Sequence, residues 1–320
     1  MKKVDIDIQS LRIFLDVCSD FSMTASARRL NLTQPTVSAS IQKIETALQT
    51  SLFDRSTRPL RLTPAGRMLF IRARGVIDNY ERMVSEVLSA RHEVKPDLRV
   101  GYSDSISSIF APYLVPQLLP YVSYFTPIMG LTPLISKLLL SEKVDIAIST
   151  DSLQRVKGVR CIPVFSEKFL VVAPLESVHD LNIATLRDLT KELPLIRFNQ
   201  YCQSQIEVDR LLRELDIAYQ SRVEADTNAM ILKLVSTGFG WSIVPALAIL
   251  HEKDYYHGVQ LIPIHSALSV RQTFVVYKDV YFEALAKKIA QIIRELVTEV
   301  VLPEVGKIDK LLSSSIGVLY

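Results

Sequence analysis

Thr33, Gln34, Pro35, Thr36, Ser38, Ala39, Gln42 and Lys43 fall at the leading end, or on one face, of a helical pattern. Its opposite face carries Val37, Ile41, Ile44 and Leu48. Side chains that are small or hydrogen-bonding let a helix approach base edges in a major groove, and an amide such as Gln42 can pair with adenine in a bidentate way. Arg55, Arg58 and Arg61 follow, on or beside the turn Ser56-Thr57-Arg58-Pro59. Arginines at such a tip suit phosphate and minor-groove contacts, which position a protein without reading much sequence. Any single one of them fits a solvated charged loop equally well.

A second set suits a small anion. Ser103 and Ser105 follow a short apolar run at a helix start, Thr132 precedes another helical pattern, and Thr227-Asn228 opens a third. Helix N-termini present unpaired N–H groups and partial positive charge, so hydroxyls converging there favour negative ligands. Each residue taken alone also reads as an ordinary N-cap.

Enzyme chemistry finds little support. His92, His179, His251, His257 and His265 lack metal-ligand spacing. There is no glycine-rich phosphate loop and no nucleophile elbow. Cys18, Cys161 and Cys202 lie far apart, so neither a disulfide framework nor a zinc site is expected, and a reducing compartment is. A redox switch between Cys161 and Cys202 needs a lowered thiol pKa; buried, inert thiols are far commoner. No metal and no cofactor is expected.

Elements must position these sets. Ile8, Leu11, Leu15 and Cys18, with Phe14 beside them, predict a first amphipathic helix. Ser22 caps a short second one carrying Ala27 and Leu30 inward. Asn31-Leu32 makes the turn, Thr33 caps the third helix, and Pro35 is tolerated in its first turn. Leu52-Phe53 and Leu60-Arg61-Leu62 read as two short strands. Thr63-Pro64 then opens a long helix. Leu69, Ala73, Val76, Tyr80, Met83, Val87 and Ala90 alternate by four and three along it, which predicts a seam against another helix. Burial against its own domain is the alternative. Lys95-Pro96-Asp97 reads as a linker.

Beyond the linker, strands at 98–101, 145–148, 169–172, 195–198, 242–244, 261–264 and 273–277 are separated by helical patterns. Those run from after the first strand to about 119, from 134, and near 205–215, 227–238 and 282–301. This alternation argues an α/β domain with mainly parallel sheets.

Charge is unevenly placed. Through residue 95 there are fifteen Lys and Arg against ten Asp and Glu, a net of +5; the remainder nets −2. The basic surplus sits in the unit expected to meet a polyanion. A hydrophobic content of 48% over 320 residues fits folded domains rather than a disordered chain. Asp5 and Asp7 follow Met1-Lys2-Lys3 where a signal peptide would be apolar. The stretch from Trp241 to Leu250 is too short to span a bilayer. A cytoplasmic protein is expected.

The order Ala27-Arg28-Arg29-Leu30-Asn31-Leu32-Thr33-Gln34-Pro35-Thr36-Val37-Ser38, then Ile41, Ile44-Glu45, Leu52-Phe53-Asp54-Arg55 and Leu62-Thr63-Pro64-Ala65-Gly66, resembles the N-terminal signature of LysR-type transcriptional regulators. Leu234-Val235-Ser236-Thr237-Gly238-Phe239-Gly240 with Pro245 is similar to a pattern of the same family. The resemblance covers essentially the whole chain. It implies an N-terminal all-α winged helix-turn-helix (1–63) and a long linker and dimerisation helix (64–95). It further implies a C-terminal α/β two-lobed periplasmic-binding-protein-like effector domain (96–320). Lobe I would span about 97–165 and 270–302, and lobe II about 170–267, with crossings near Val164–Ala173 and His265–Arg271. It places Ser105, Thr132 and the Gln203–Ser204 region where the family binds its effector. The partners implied are double-stranded DNA, a small-molecule effector, and copies of the chain as a homodimer or homotetramer. The competing reading is a plain small-molecule sensor with an architectural or vestigial DNA domain. Three departures stand out. Gln49 occupies a position usually taken by glycine, the stretch from Leu114 to Thr132 is several residues short, and the tail after Pro303 is long and has no assigned role.

Overall fold

The computed structural model describes residues 5–56, 60–90, 95–175 and 183–320. It forms two compact units, Met1–Val94 and Lys95–Tyr320.

In the first unit, helices α1 (Ile8–Asp20), α2 (Met23–Arg29) and α3 (Gln34–Leu48) precede a two-stranded wing. Each helix begins at a side-chain cap: Asp7 accepts from the Ser10 N–H at 2.7 Å, Ser22 from Ala25 at 3.2 Å and Thr33 from Thr36 at 3.4 Å. These bonds satisfy donors that no helical carbonyl can reach. Left-handed residues end or link the helices: Phe21, Asn31 and Gln49 have φ of 55°, 53° and 53°. Phe14, Val17, Val37, Ile41, Ile44, Leu52 and Phe53 are buried together. The wing pairs β1 (Phe53–Asp54) with β2 (Arg61–Leu62), antiparallel. Glu45 of α3 fixes its base by accepting from the Leu52 N–H at 2.7 Å. Helix α4 (Pro64–Ala90) starts at Thr63, whose hydroxyl accepts from the Gly66 N–H at 3.0 Å. A Cβ on Gly66 would lie 2.1 Å from the Leu52 carbonyl oxygen, so this close approach requires glycine.

The second unit is built on β3 (Asp97–Ser103), α5 (Asp104–Leu118), β4 (Tyr124–Gly130), α6 (Thr132–Leu140), β5 (Ile146–Ser149) and the long β6 (Arg160–Pro174). Then come α7 (Ile183–Glu192), β7 (Leu195–Phe198), α8 (Gln203–Glu214), β8 (Ser221–Ala225), α9 (Asn228–Ser236), β9 (Ser242–Pro245), α10 (Ala246–His251) and β10 (Val259–Pro263). The chain closes with β11 (Val270–Tyr277), α11 (Glu283–Leu296), a π-helical turn at Val297–Val301, α12 (Leu302–Ile308), α13 (Lys310–Ser313) and β12 (Ile316–Val318).

Strand β6 belongs to both lobes. Residues 160–168 pair with β11, and residues 169–174 pair with β9 and β10. Lobe one orders its strands β4-β3-β5-β11-β6. In lobe two, β7 and β8 form a parallel pair reached through a Leu195–Trp241 bridge.

The sheets are mixed rather than mainly parallel. Strands β9 and β10 in lobe two, and β11 and β12 in lobe one, all pair with β6 antiparallel. Strand β4 forms within the shortened stretch; Pro127 is tolerated there because β4 is an edge strand. Strands β8 and β12 carried no clear sequence pattern. Alternate residues of β8 are exposed, with Arg222 and Glu224 outward, and β12 is only three residues long.

Candidate functional site

Helix α3 turns Val37, Ile41 and Ile44 into the core and leaves Gln34, Pro35, Thr36, Ala39, Gln42 and Lys43 exposed, with Ser38 half-buried. Thr33 and Thr36 bond to each other through their hydroxyls at 2.8 Å. Lys43 is tied to Asp7 at 2.6 Å, and Arg55 to Glu45 at 3.1 Å. Both cations therefore face outward while held by a carboxylate of the same unit. Arg58 lies outside the described residues. Arg61 is exposed opposite Asp54 in the wing ladder.

On α4 the expected seam divides. Ala73 is 1% exposed and lies in the unit's own core, and Leu69 packs against that core. Both belong to the inner face shared with Ile77, so they are not free to face a second helix. Val76, Tyr80, Met83 and Val87 remain exposed. The side chain of Ala90 lies outside the described residues.

In the second unit, Ser103, Thr132, Gln203, Ser204 and Asn228 line one cavity of about 40 Å³, together with Thr150, Phe198, Cys202, Asp226 and Arg271. That volume is small beside the roughly 300–1,000 Å³ of small-molecule sites, so the cleft is narrow. The starts of α5, α6 and α8 reach it through Ser103, Thr132 and Cys202-Gln203. Among the described residues none of these three starts carries a side-chain cap. Thr227 lies outside the lining; its hydroxyl caps α9 by accepting from the Met230 N–H at 3.2 Å. The Ser105 side chain lies outside the described residues.

Arg271 is the residue that motif reading missed, although it ends the expected second crossing. Its Nε and Nη2 donate to Glu167 Oε1 at 3.0 and 2.8 Å, and its Nη1 donates to Ser204 Oγ at 3.0 Å. Glu167 and Arg271 are directly opposite on β6 and β11. Glu167 Oε2 also accepts the Leu247 N–H at 2.8 Å and so caps α10. Burial lowers the affinity of Arg271 for its proton, but the Glu167 and Glu207 charges outweigh it and hold the pKa above normal. Burial pushes the Glu207 carboxyl up, against the opposing pull of Arg271. A pair that only folding assembles leaves no spacing signal in sequence. Among the cysteines, burial raises the Cys18 thiol to about 12, which makes it inert.

A model of the bacterial regulatory helix-turn-helix protein, LysR family, matches residues 8–67, and one of the LysR substrate-binding domain matches residues 91–297. The chain belongs to the LysR family. As a LysR-type protein it is a DNA-binding transcriptional regulator with an effector-binding domain, and not an enzyme.

This regulator is 27% identical over 271 residues to HTH-type transcriptional regulator BsdA of Bacillus subtilis, covering 80% of this chain and 90% of BsdA. It is 27% identical over 253 residues to a probable hydrogen peroxide-inducible genes activator of Streptomyces viridosporus, covering 76% and 78%. Among solved structures, full-length CbnR complexed with its target DNA superposes with a TM-score of 0.63 at 18% identity, covering 90% and 99%. A cysteine mutant of Corynebacterium glutamicum OxyR, H2O2-bound, gives 0.58 at 23% identity, covering 96% and 97%. At these identities the structures support the fold alone. Among the regulator's described residues, no helix is long and apolar enough to cross a membrane, and no cluster of His, Cys, Asp and Glu could hold a metal ion.

Proposed function

We propose that this regulator binds operator DNA through paired winged helices, and that a small anionic or amphoteric effector in the cleft between its lobes alters their geometry. Supporting the DNA reading, α3 exposes the face that carries Gln42 and Lys43. Assembly into a dimer would use the exposed α4 stripe of Val76, Tyr80, Met83 and Val87, and the effector domains would join dimers into a tetramer.

The observation that carries the effector reading is the convergence of three uncapped helix starts on one cavity. Their N–H groups suit a carboxylate. Asp226 and Asn228, in the same lining, supply acceptors for a ligand that also bears a donor; Asn228 Oδ1 is buried with no hydrogen-bond partner among the described residues. Arg271 is already committed to Glu167, so it orders the cleft wall rather than supplying a free charge.

A thermal-shift screen of small carboxylates and amino acids tests this, because a ligand that binds only the folded state raises its melting temperature. Thr132→Val keeps the side-chain shape and removes a hydroxyl from the lining. It should weaken the compound found about tenfold or more, given roughly 1.5–3 kcal/mol for a hydrogen bond to a charged group. DNA binding and folding should be spared. Full-strength binding by that variant would exclude Thr132 from the site.

A further inference from the structure

The LysR substrate-binding model ends at residue 297, but the chain continues as ordered structure to Val318 and bonds through Leu319. Pro303 has no N–H, and the helix adapts just before it: the Leu302 N–H reaches back to the Val297 carbonyl, a π-type bond. Helix α12 then packs on α10 of lobe two, with Val305 buried. Asp309 holds two partners: its Oδ1 accepts the Leu311 N–H at 2.8 Å, and its Oδ2 accepts from Tyr256 Oη of lobe two at 2.8 Å. Leu312 is fully buried in the core. The chain then returns to β6. The Ser315 carbonyl accepts the Lys168 N–H at 2.8 Å, and Ile316, Gly317 and Val318 pair with Glu167, Ser166 and Phe165. In lobe one, Leu319 bonds Val164 at 3.0 Å through its N–H and accepts from Arg294 Nε at 2.6 Å.

The segment thus leaves lobe one at α11, takes hold of lobe two at α10 and Tyr256, and ends on β6 where that strand changes sheets. We propose that residues 302–320 are a clasp that ties the two lobes across their crossing strand and sets how readily the cleft opens. At about 40 Å³ the cleft is narrow beside the roughly 300–1,000 Å³ of small-molecule sites, so a restraint at the crossing acts on any widening that an effector needs. The consequence for effectors rests on the cleft being their site; the clasp itself does not. Hinge closure in two-lobed domains concentrates its movement in a few crossing residues, and here the clasp holds the β6 crossing at residues 164–168.

Hydrogen exchange on the full chain without effector tests the clasp alone. Tyr256→Phe removes one hydroxyl and keeps the ring. It should speed exchange at 168–173 and 243–249 about fivefold, the population change expected for one hydrogen bond of typical net strength. Removing residues 309–320 should speed the same segments on the order of tenfold or more, while lobe-one strands at 98–102 and 146–148 keep their rates. Unchanged exchange at the crossing in both variants would overturn the clasp. Equal loosening of the lobe-one strands on truncation would also overturn it, by making the tail part of the lobe-one core. Unchanged effector binding with crossing exchange altered would count against the cleft reading only.

Discussion

Gln42 and Asp7 set a side chain proposed to read DNA beside one that supports the fold. Gln42 is exposed on α3 and makes no hydrogen bond among the described residues, so its amide is available to a base. Gln42→Ala should cost roughly 1–3 kcal/mol of discrimination at one base pair. Binding to operator variants measures this, and an unchanged sequence preference would remove Gln42 from the reading face. Asp7 is both the N-cap of α1 and the partner of Lys43. The Lys43 bond first, and the Ser10 N–H next, hold its carboxyl at about 2, below its ordinary 3.8. A depressed carboxyl stabilises the fold above its unfolded pKa, and that contribution fades as pH falls through the folded value. Asp7→Ala should therefore lower stability by about 1 kcal/mol at neutral pH. Its deficit should shrink as pH drops below about 4. Urea midpoints across pH 7 to 3 would show the narrowing; a constant gap would mean that the carboxylate charge is not involved.

At the scale of elements, α4 has two faces, one buried in its own unit and one exposed. Its inner face puts Ala73 and Ile77 into the core of its own unit, while Val76, Met83 and Val87 stay exposed, Val76 by 48% and Val87 by 64%. Substitutions on the two faces should fail differently. Val76→Asp should fold normally and lower the oligomer mass seen by light scattering, because an unpaired charge would enter the proposed seam. Ala73→Leu should leave the assembly surface alone and lower stability by about 1–3 kcal/mol through overpacking. Unchanged mass and unchanged operator binding in Val76→Asp would take the stripe out of the assembly. Strand β6 is likewise two elements in one. Glu167 stands just before its change of sheets, bonded to Arg271 and to the start of α10, so the pair pins the crossing where the two sheets meet.

At the scale of the whole molecule, regulation requires the effector to alter DNA affinity, and the coupling must then be reciprocal. Calorimetry of the effector with and without operator DNA should give affinities that differ by the same factor by which the effector shifts DNA binding. Couplings of about 1–3 kcal/mol, or roughly 5–150-fold, are typical. Equal effector affinities in the two states would argue for a plain sensor carrying an idle DNA-binding domain, the competing reading of the sequence.

Sequence by itself determined what local chemistry controls. Caps at Ser22 and Thr33, the apolar face of α3, the Thr63-Pro64 start and most strands of the effector domain are written in neighbouring residues, because caps and amphipathic periods act within a few positions. The family followed from the same short-range order. Tertiary structure decided what depends on residues distant in the chain. It drew Ala73 into the unit's own core although the heptad spacing ran on unbroken. It brought Ser103, Thr132, Gln203, Ser204 and Asn228 to one cavity, and left Thr227 as a cap. It set Arg271 opposite Glu167, 104 residues apart, a pairing that no spacing announces. It gave the tail a place on β6 because that strand had an open edge, and an edge exists only once the sheet has formed.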